Sequence, residues 1–258
     1  MQAKKQITKN IRLFLASLAP AWVRRWRAQQ ALKARINARR KENSVLSAQQ
    51  VFTRIYENRE WGGGSGLYSG TGSDDPVTGQ YCAFVKSFIA RNGITRIVDL
   101  GCGDFRVGSR IASAGGAWIA VDIVEKVVEA DRRKYAALGN VSFECRNIIE
   151  DDLPPGQLCL VRQVLQHLSN AEITAVIGKL RAYDYALVTE HFPAASVLLR
   201  PNRDKPHGFD TRVHERSAVV LDKPPFCVPG VTQVLSVSAA EVISREGETI
   251  RTFLIRKW

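Results

Sequence analysis

The segment Ile97-Val98-Asp99-Leu100-Gly101-Cys102-Gly103-Asp104-Phe105 joins an apolar run to a Gly-x-Gly pair flanked by two acids. A strand that ends in such a turn and opens a helix brings bare backbone against a ligand, and a Cβ there would block both turn and ligand. Asp122 lies 19 residues after Gly103, at the end of the next apolar run, and Ile123 follows it. A carboxylate so placed can accept hydrogen bonds from both hydroxyls of a ribose. Together these residues predict a nucleoside lying across the ends of the first two strands, with Asp99, Gly101, Cys102, Gly103, Asp104, Asp122 and Ile123 around it.

The kind of nucleoside follows from charge. A dinucleotide site of the Gly-x-Gly-x-x-Gly type would need a third glycine at position 106, which is Arg106. Asp99 and Asp104 would repel a pyrophosphate but suit a cation that carries an ammonium group. S-adenosylmethionine has a sulfonium, an amino-acid tail and no phosphate, and is the ligand expected.

On these residues the chain resembles the class I S-adenosylmethionine-dependent methyltransferases over roughly residues 75–191. The resemblance implies that Asp99–Asp104 wraps the methionine part of the donor and that Asp122 holds its ribose. It places the adenine contact after the third strand, where an acid is usual in that family; here Cys145-Arg146-Asn147 makes an amide, Asn147, the candidate. The stretch Arg162-Gln163-Val164-Leu165-Gln166-His167-Leu168-Ser169 is similar to a segment that lies beside the donor in the family, so Gln163 is expected to face it. The segment Asn202–Arg212, with Pro224-Pro225-Phe226, looks similar to methyltransferases of surface-polysaccharide assembly, which implies a sugar or phosphorylated glycan acceptor.

Methyl transfer from a sulfonium needs an aligned nucleophile and a dry site, and a hydroxyl acceptor must also lose a proton. His167, Glu190 and His191 are the expected catalytic groups, because all fall near the carboxyl edge of the sheet. His167 could equally be a histidine satisfied against Leu168, and His191 a structural residue. The five cysteines form no CxxC pair, so neither a cysteine metal site nor a disulfide framework is expected, and a reducing compartment is.

The elements that position these groups alternate. Strands are predicted at 96–100, 118–122, 141–145, 158–161 and 186–189, with helices at 106–114, 124–137 and 171–181. Short strands that are apolar on both faces suit a parallel sheet covered by helices, and the runs 231–237 and 249–255 suit a terminal antiparallel hairpin around Glu246-Gly247-Glu248. The fold class expected is α/β: a Rossmann-like, doubly wound, mostly parallel sheet with a C-terminal antiparallel hairpin, plus basic N-terminal helices. Ser44 is expected to cap a helix through Val51 and Tyr56, and Asp75-Pro76 to open another. The glycine-rich stretch 61–73 reads as a lid, with Tyr68 or Tyr81 shielding the donor, or as a linker; the polar segment 191–227 reads as an arch lining the acceptor pocket, or as a solvated loop.

Charge separates the ends from the body. The chain has 258 residues and a formal net charge of +12. Twelve basic side chains lie in residues 1–42 against Glu42 alone, which leaves 25 basic and 24 acidic residues elsewhere. Residues 1–43 are therefore read as a basic amphipathic segment and 44–258 as the catalytic domain. Ile7, Ile11, Phe14 and Leu18 form one helical stripe, and Trp22, Val23 and Trp26 continue the pattern. An anionic membrane surface, a packing helix or a nucleic acid would each suit it; a nucleic acid is the weaker reading, because the body is near neutral. Tryptophans and arginines directly after the apolar run fit export poorly, so the expected location is cytoplasmic, at the inner face of the membrane. Nucleic-acid methylation through the basic arm and a non-catalytic donor-binding module are the competing functions.

Overall fold

The computed structural model describes residues 20–64, 66–75, 77–198, 200–239 and 247–257. The stripe at positions 7–18, the helix opening at Pro76 and the turn residue Glu246 lie outside them. The chain divides into two compact units, residues 1–45 and 46–258.

In the first unit, helix α1 spans Ala21–Asn43. Alanine, glutamine, arginine and lysine dominate it, all strong helix formers. It has no acid in its first turn, and Arg40 and Lys41 sit in its last, where cations oppose the negative end of the helix dipole.

The second unit begins with α2 (Ala48–Glu57). Its cap is Ser47 in place of the expected Ser44: the Ser47 hydroxyl accepts the Gln50 N–H, and the Gln50 side chain accepts the Ser47 N–H. Ser44 instead donates to the Lys41 carbonyl at the end of α1. The reciprocal pair at Ser47 satisfies two orphan donors, worth about 1 kcal/mol. Then follow α3 (Val77–Arg91), β1 (Arg96–Leu100), α4 (Arg106–Ala112), β2 (Ala117–Asp122), α5 (Glu125–Lys134), β3 (Val141–Cys145), β4 (Leu158–Arg162), α6 (Asn170–Leu180), β5 (Tyr185–Phe192), β6 (Thr232–Ser238) and β7 (Thr249–Arg256). Ser169 caps α6 through a second reciprocal box with Glu172.

These seven strands form one sheet in the order β3-β2-β1-β4-β5-β7-β6. The first five are parallel, and β7 runs antiparallel between β5 and β6. Among the described residues the expected strands and the helices between them are present, with ends shifted by a few residues, and the C-terminal pair joins the same sheet. Alternation along β1 sends Val98 and Leu100 to one face, packed with Val161, Val176 and Leu180, and Ile97 to the other, with Trp118, Leu160 and Leu187. Both faces are thus buried, as parallel strands require. The sheet order reverses between β1 and β4, and the carboxyl ends of the strands on either side of such a switch open a crevice for ligands.

Candidate functional site

The turn after β1 is shaped by contact from two sides. Gly101 and Gly103 have φ of +71° and +57°, and a Cβ would lie 2.4 Å from Val164 and 2.3 Å from the Ser69 hydroxyl. Both positions therefore exclude other residues on conformation and on space. The Gly103 N–H donates to Asp122 (3.0 Å), which also accepts the Val124 N–H (3.0 Å). Those bonds fix the Asp122 carboxylate across the turn and leave lone pairs for a ligand. Burial raises the pKa of the Asp122 carboxyl, and the backbone donors oppose that shift.

A cleft of about 1100 Å³, open mouth included, lies on this turn. All nine residues expected to hold the nucleoside line it: Asp99, Gly101, Cys102, Gly103, Asp104, Asp122, Ile123, Asn147 and Gln163. They differ in what they have left to offer. Asp104 forms an ion pair with Arg106 (2.9 Å) and accepts the Ser69 N–H (3.1 Å), so its charge is largely engaged within the wall. The Asn147 carboxamide oxygen accepts the Ile149 N–H (3.0 Å), which turns it toward its own loop. Gln163 leaves β4 at φ +56°, with its side chain against Gly72. Cys102 is half-buried, and burial pushes its thiol well above the ordinary value. Asp99 is buried on the face of β1 toward α4; burial pushes its carboxyl up to about 7, against the pull of the Arg162 guanidinium.

The three expected acid–base residues separate. His167 lines the cleft, packed 5.2 Å from the Trp61 ring. Its Nδ1 lies 3.1 Å from the Gly208 carbonyl oxygen. A carbonyl only accepts, so Nδ1 carries the proton, and the Nε2 lone pair accepts from the Gln166 carboxamide at 3.4 Å. Burial, with the charge of Lys205, lowers the imidazole to about 4, so it is neutral at pH 7. The other two expectations are corrected. Glu190 is 1% exposed and outside the cleft wall, and accepts the Leu165 and Gln166 N–H groups (2.9 and 3.1 Å) at the turn after β4. His191, one residue on, points to the opposite face of β5, where its Nε2 meets Glu248 at 2.9 Å. Both hold the sheet edge together.

The arch is also corrected. None of Asn202–Arg212 lines the cleft; their polar groups bind one another and the body. The Asn202 amide donates to the carbonyls of Val220 and Pro224 and accepts the Val220 N–H. Arg212, 1% exposed, donates to the carbonyls of Arg203 and Leu168. Lys205 and Asp210 face each other at 3.8 Å, and His207 meets Glu172 at 2.6 Å. The arch is a folded wall behind the site.

Several cleft residues escaped the sequence reading: Phe52, Tyr56, Trp61, Ser69, Arg146 and Arg162. Phe52 and Tyr56 stand four apart on the apolar face of α2, a visible signal, but nothing local says what that face covers. Trp61, Ser69 and Ser73 of the glycine-rich stretch line the cleft. The Trp61 indole donates to the Phe209 carbonyl (3.1 Å), Ser69 bonds to Asp104 and Tyr56, and Arg162 donates to the Gly72 carbonyl (2.6 Å). Tyr81 lines the cleft; Tyr68 instead donates to Asp74 and lies under Arg106. No group of acids, cysteines and histidines suited to a metal ion occurs among the described residues.

The segment that builds the turn, the ribose acid and β4, residues 97–183, matches the family model of the methyltransferase domain. The match takes in about a third of the chain, the part that holds the turn and the ribose acid. Among solved structures it is similar to magnesium protoporphyrin IX methyltransferase from Synechocystis PCC 6803 with bound S-adenosylmethionine, at 17% identity and a TM-score of 0.53, covering 83% of this chain and 99% of that one. It is also similar to the N-methyltransferase NodS from Bradyrhizobium japonicum WM9 in complex with S-adenosyl-L-homocysteine, at 11% identity and a TM-score of 0.54, covering 79% and 99%. At such identities the likeness is one of fold, and it covers most of this chain. No curated protein matches the chain.

Proposed function

We propose that the protein transfers a methyl group from S-adenosylmethionine to a polar hydroxyl acceptor of the sugar or lipid-linked glycan kind. The observation that carries the donor is the tight Gly101–Gly103 turn lining the cleft, with buried carboxylates, Asp99 and Asp122, at the ends of both adjoining strands. The two structures named above hold that donor or its demethylated product, and this supports the same choice here.

When bound, the donor supplies an activated methyl group on a positively charged sulfur. Asp99 gives the cleft a negative charge for the ammonium of the amino-acid tail, and the half-buried Arg162 a positive one for its carboxylate. Asp122 accepts the ribose hydroxyls, while Ile123 and Ile148 provide apolar walls for the base. Trp61, Ser69 and Ser73 wall the reacting centre and help keep water out, which lets neighbouring charges act strongly. His167 takes the acceptor's proton. A low basicity suffices, because an oxygen becomes strongly acidic as its bond to methyl forms. Trp61 beside His167 offers a ring face and an uncharged surface, a setting for a polyhydroxyl ring more than for a phosphate.

The support for a glycan acceptor rests on this pair now that the arch faces inward. The experiment is methyl transfer from labelled S-adenosylmethionine to a panel of free sugars, lipid-linked glycans, small amines and oligonucleotides. Label in the hydroxyl acceptors, lost in His167→Ala, supports the proposal. Label in an amine or a nucleic acid alone refutes the acceptor class, and preferential binding of NAD over the methyl donor refutes the donor.

A further inference from the structure

Methyl transfer leaves helix α1 without a role, and its first two turns are unlike the rest. Trp22 and Trp26 are 72% and 56% exposed. They are four residues apart, so both project from one side of the helix. Arg24, Arg25 and Arg27 lie beside them, and five further cations follow before Asn43, against one acid, Glu42. Beyond Arg27 no tryptophan, phenylalanine or tyrosine occurs in α1, and charge surrounds the helix. No helix among the described residues is long and apolar enough to cross a membrane. The helix thus pairs an aromatic and arginine-rich beginning with a remainder that carries five cations, one acid and the buried Ile36.

Indole is an apolar body with one N–H donor, and it settles where lipid headgroups meet acyl chains. Arginine stems lie along that boundary while their guanidinium groups reach lipid phosphates. Each further cation adds attraction to an anionic leaflet, within the screening length set by salt. We propose that α1 docks on the surface of an anionic bilayer, with Trp22 and Trp26 inserted at headgroup depth and the arginines against lipid phosphates. The remaining cations hold the helix along the surface without entering it. Single-stranded nucleic acid would also meet the charge, but stacking proteins present their aromatic rings along a groove that tracks the backbone. Here two exposed rings project from one side of a single helix. The inference does not depend on the methyl-transfer reading.

Co-sedimentation of the full chain with vesicles tests it, using pure phosphatidylcholine and phosphatidylcholine with about 30% phosphatidylserine at about 0.15 M salt. Partitioning at least about tenfold stronger onto the anionic vesicles is expected. Trp22→Ala with Trp26→Ala should weaken it about fivefold or more with the circular dichroism unchanged, since both rings are exposed. Arg24→Glu, Arg25→Glu and Arg27→Glu together should abolish the preference for anionic lipid. Equal partitioning onto both compositions, no partitioning, or a double tryptophan variant that binds like the wild type would each overturn the proposal. So would tighter binding to a single-stranded oligonucleotide than to the anionic vesicles.

Discussion

The turn at 99–104 and the arch at 191–227 are both rich in polar residues, yet they put them to opposite use. In the turn, Asp99, Gly101, Gly103 and the facing Asp122 line the cleft and retain capacity for a ligand. In the arch, Asn202, Lys205, Asp210 and Arg212 are buried, and their groups meet partners within the protein. The difference lies in what fixes each side chain. A strand followed at once by a tight turn fixes its own direction, so the chemistry of its residues can be read from spacing. An irregular segment finds its partners far along the chain, and composition alone does not say whether they are solvent, substrate or backbone.

The arch side of the comparison breaks most severely at Arg212. Arg212→Ala removes the donors to the Arg203 and Leu168 carbonyls and empties a buried site. A loss of about 3–5 kcal/mol is expected, read as a lowered denaturant midpoint, with donor affinity little changed in the fraction that stays folded. If Arg212 instead faced acceptor, turnover would fall and the midpoint would not.

Gly101→Val breaks the turn side. It asks valine to hold φ +71° and places a Cβ 2.4 Å from Val164. A cost of about 3 kcal/mol is expected together with loss of donor binding by calorimetry, because the strained turn and the displaced Val164 both line the cleft. Stability lost with binding intact would show that the glycine serves only the turn.

His167 sharpens the boundary between the two regions, since it lines the cleft while its Nδ1 is held by Gly208 of the arch. Its folded pKa, about 4, is below the unfolded value of 6.5, so the unfolded chain takes up the proton first as pH falls. Its stabilising contribution is whole above pH 6.5 and is lost toward pH 4. Relative to His167→Gln, the wild type should lose about 2 kcal/mol between pH 7 and 5. A parallel pH profile for the two proteins would mean that the imidazole is not buried as described.

Asp99 gives the smallest effect. Its carboxyl sits at about 7, raised by burial, and a cationic ligand favours the ionised form. Donor affinity should therefore rise by up to about tenfold from pH 6 to pH 8, with a proton released on binding near neutrality. Calorimetry in buffers of different ionisation enthalpy reads that proton directly; its absence would place the ammonium elsewhere.

Much of this architecture was legible beforehand, for reasons that the same residues explain. Strands β1 and β3 match their predicted limits because apolar runs there end at turn-forming or polar residues. The nine residues expected at the donor line one cleft because each lies at or just beyond the end of a strand, where direction is set by main-chain geometry. Glu190 and His191 were placed near the correct edge, but alternation along β5 and the neighbouring turn after β4 turned one under that turn and the other toward Glu248. Trp61 and Arg162 were missed for the converse reason: one sits in a glycine-rich loop and the other ends an apolar strand. Each acquires its place only when Phe209 or Gly72, distant in sequence, supplies a carbonyl.

The central claim is that the donor lies across the Gly101–Gly103 turn with its ribose on Asp122. A crystal structure of the protein with S-adenosyl-L-homocysteine tests it most directly. The account predicts both ribose hydroxyls within about 3 Å of the Asp122 carboxylate and the amino-acid tail between Asp99 and Arg162. A nucleoside bound elsewhere, or the cleft closed by the chain's own side chains at saturating ligand, would contradict it.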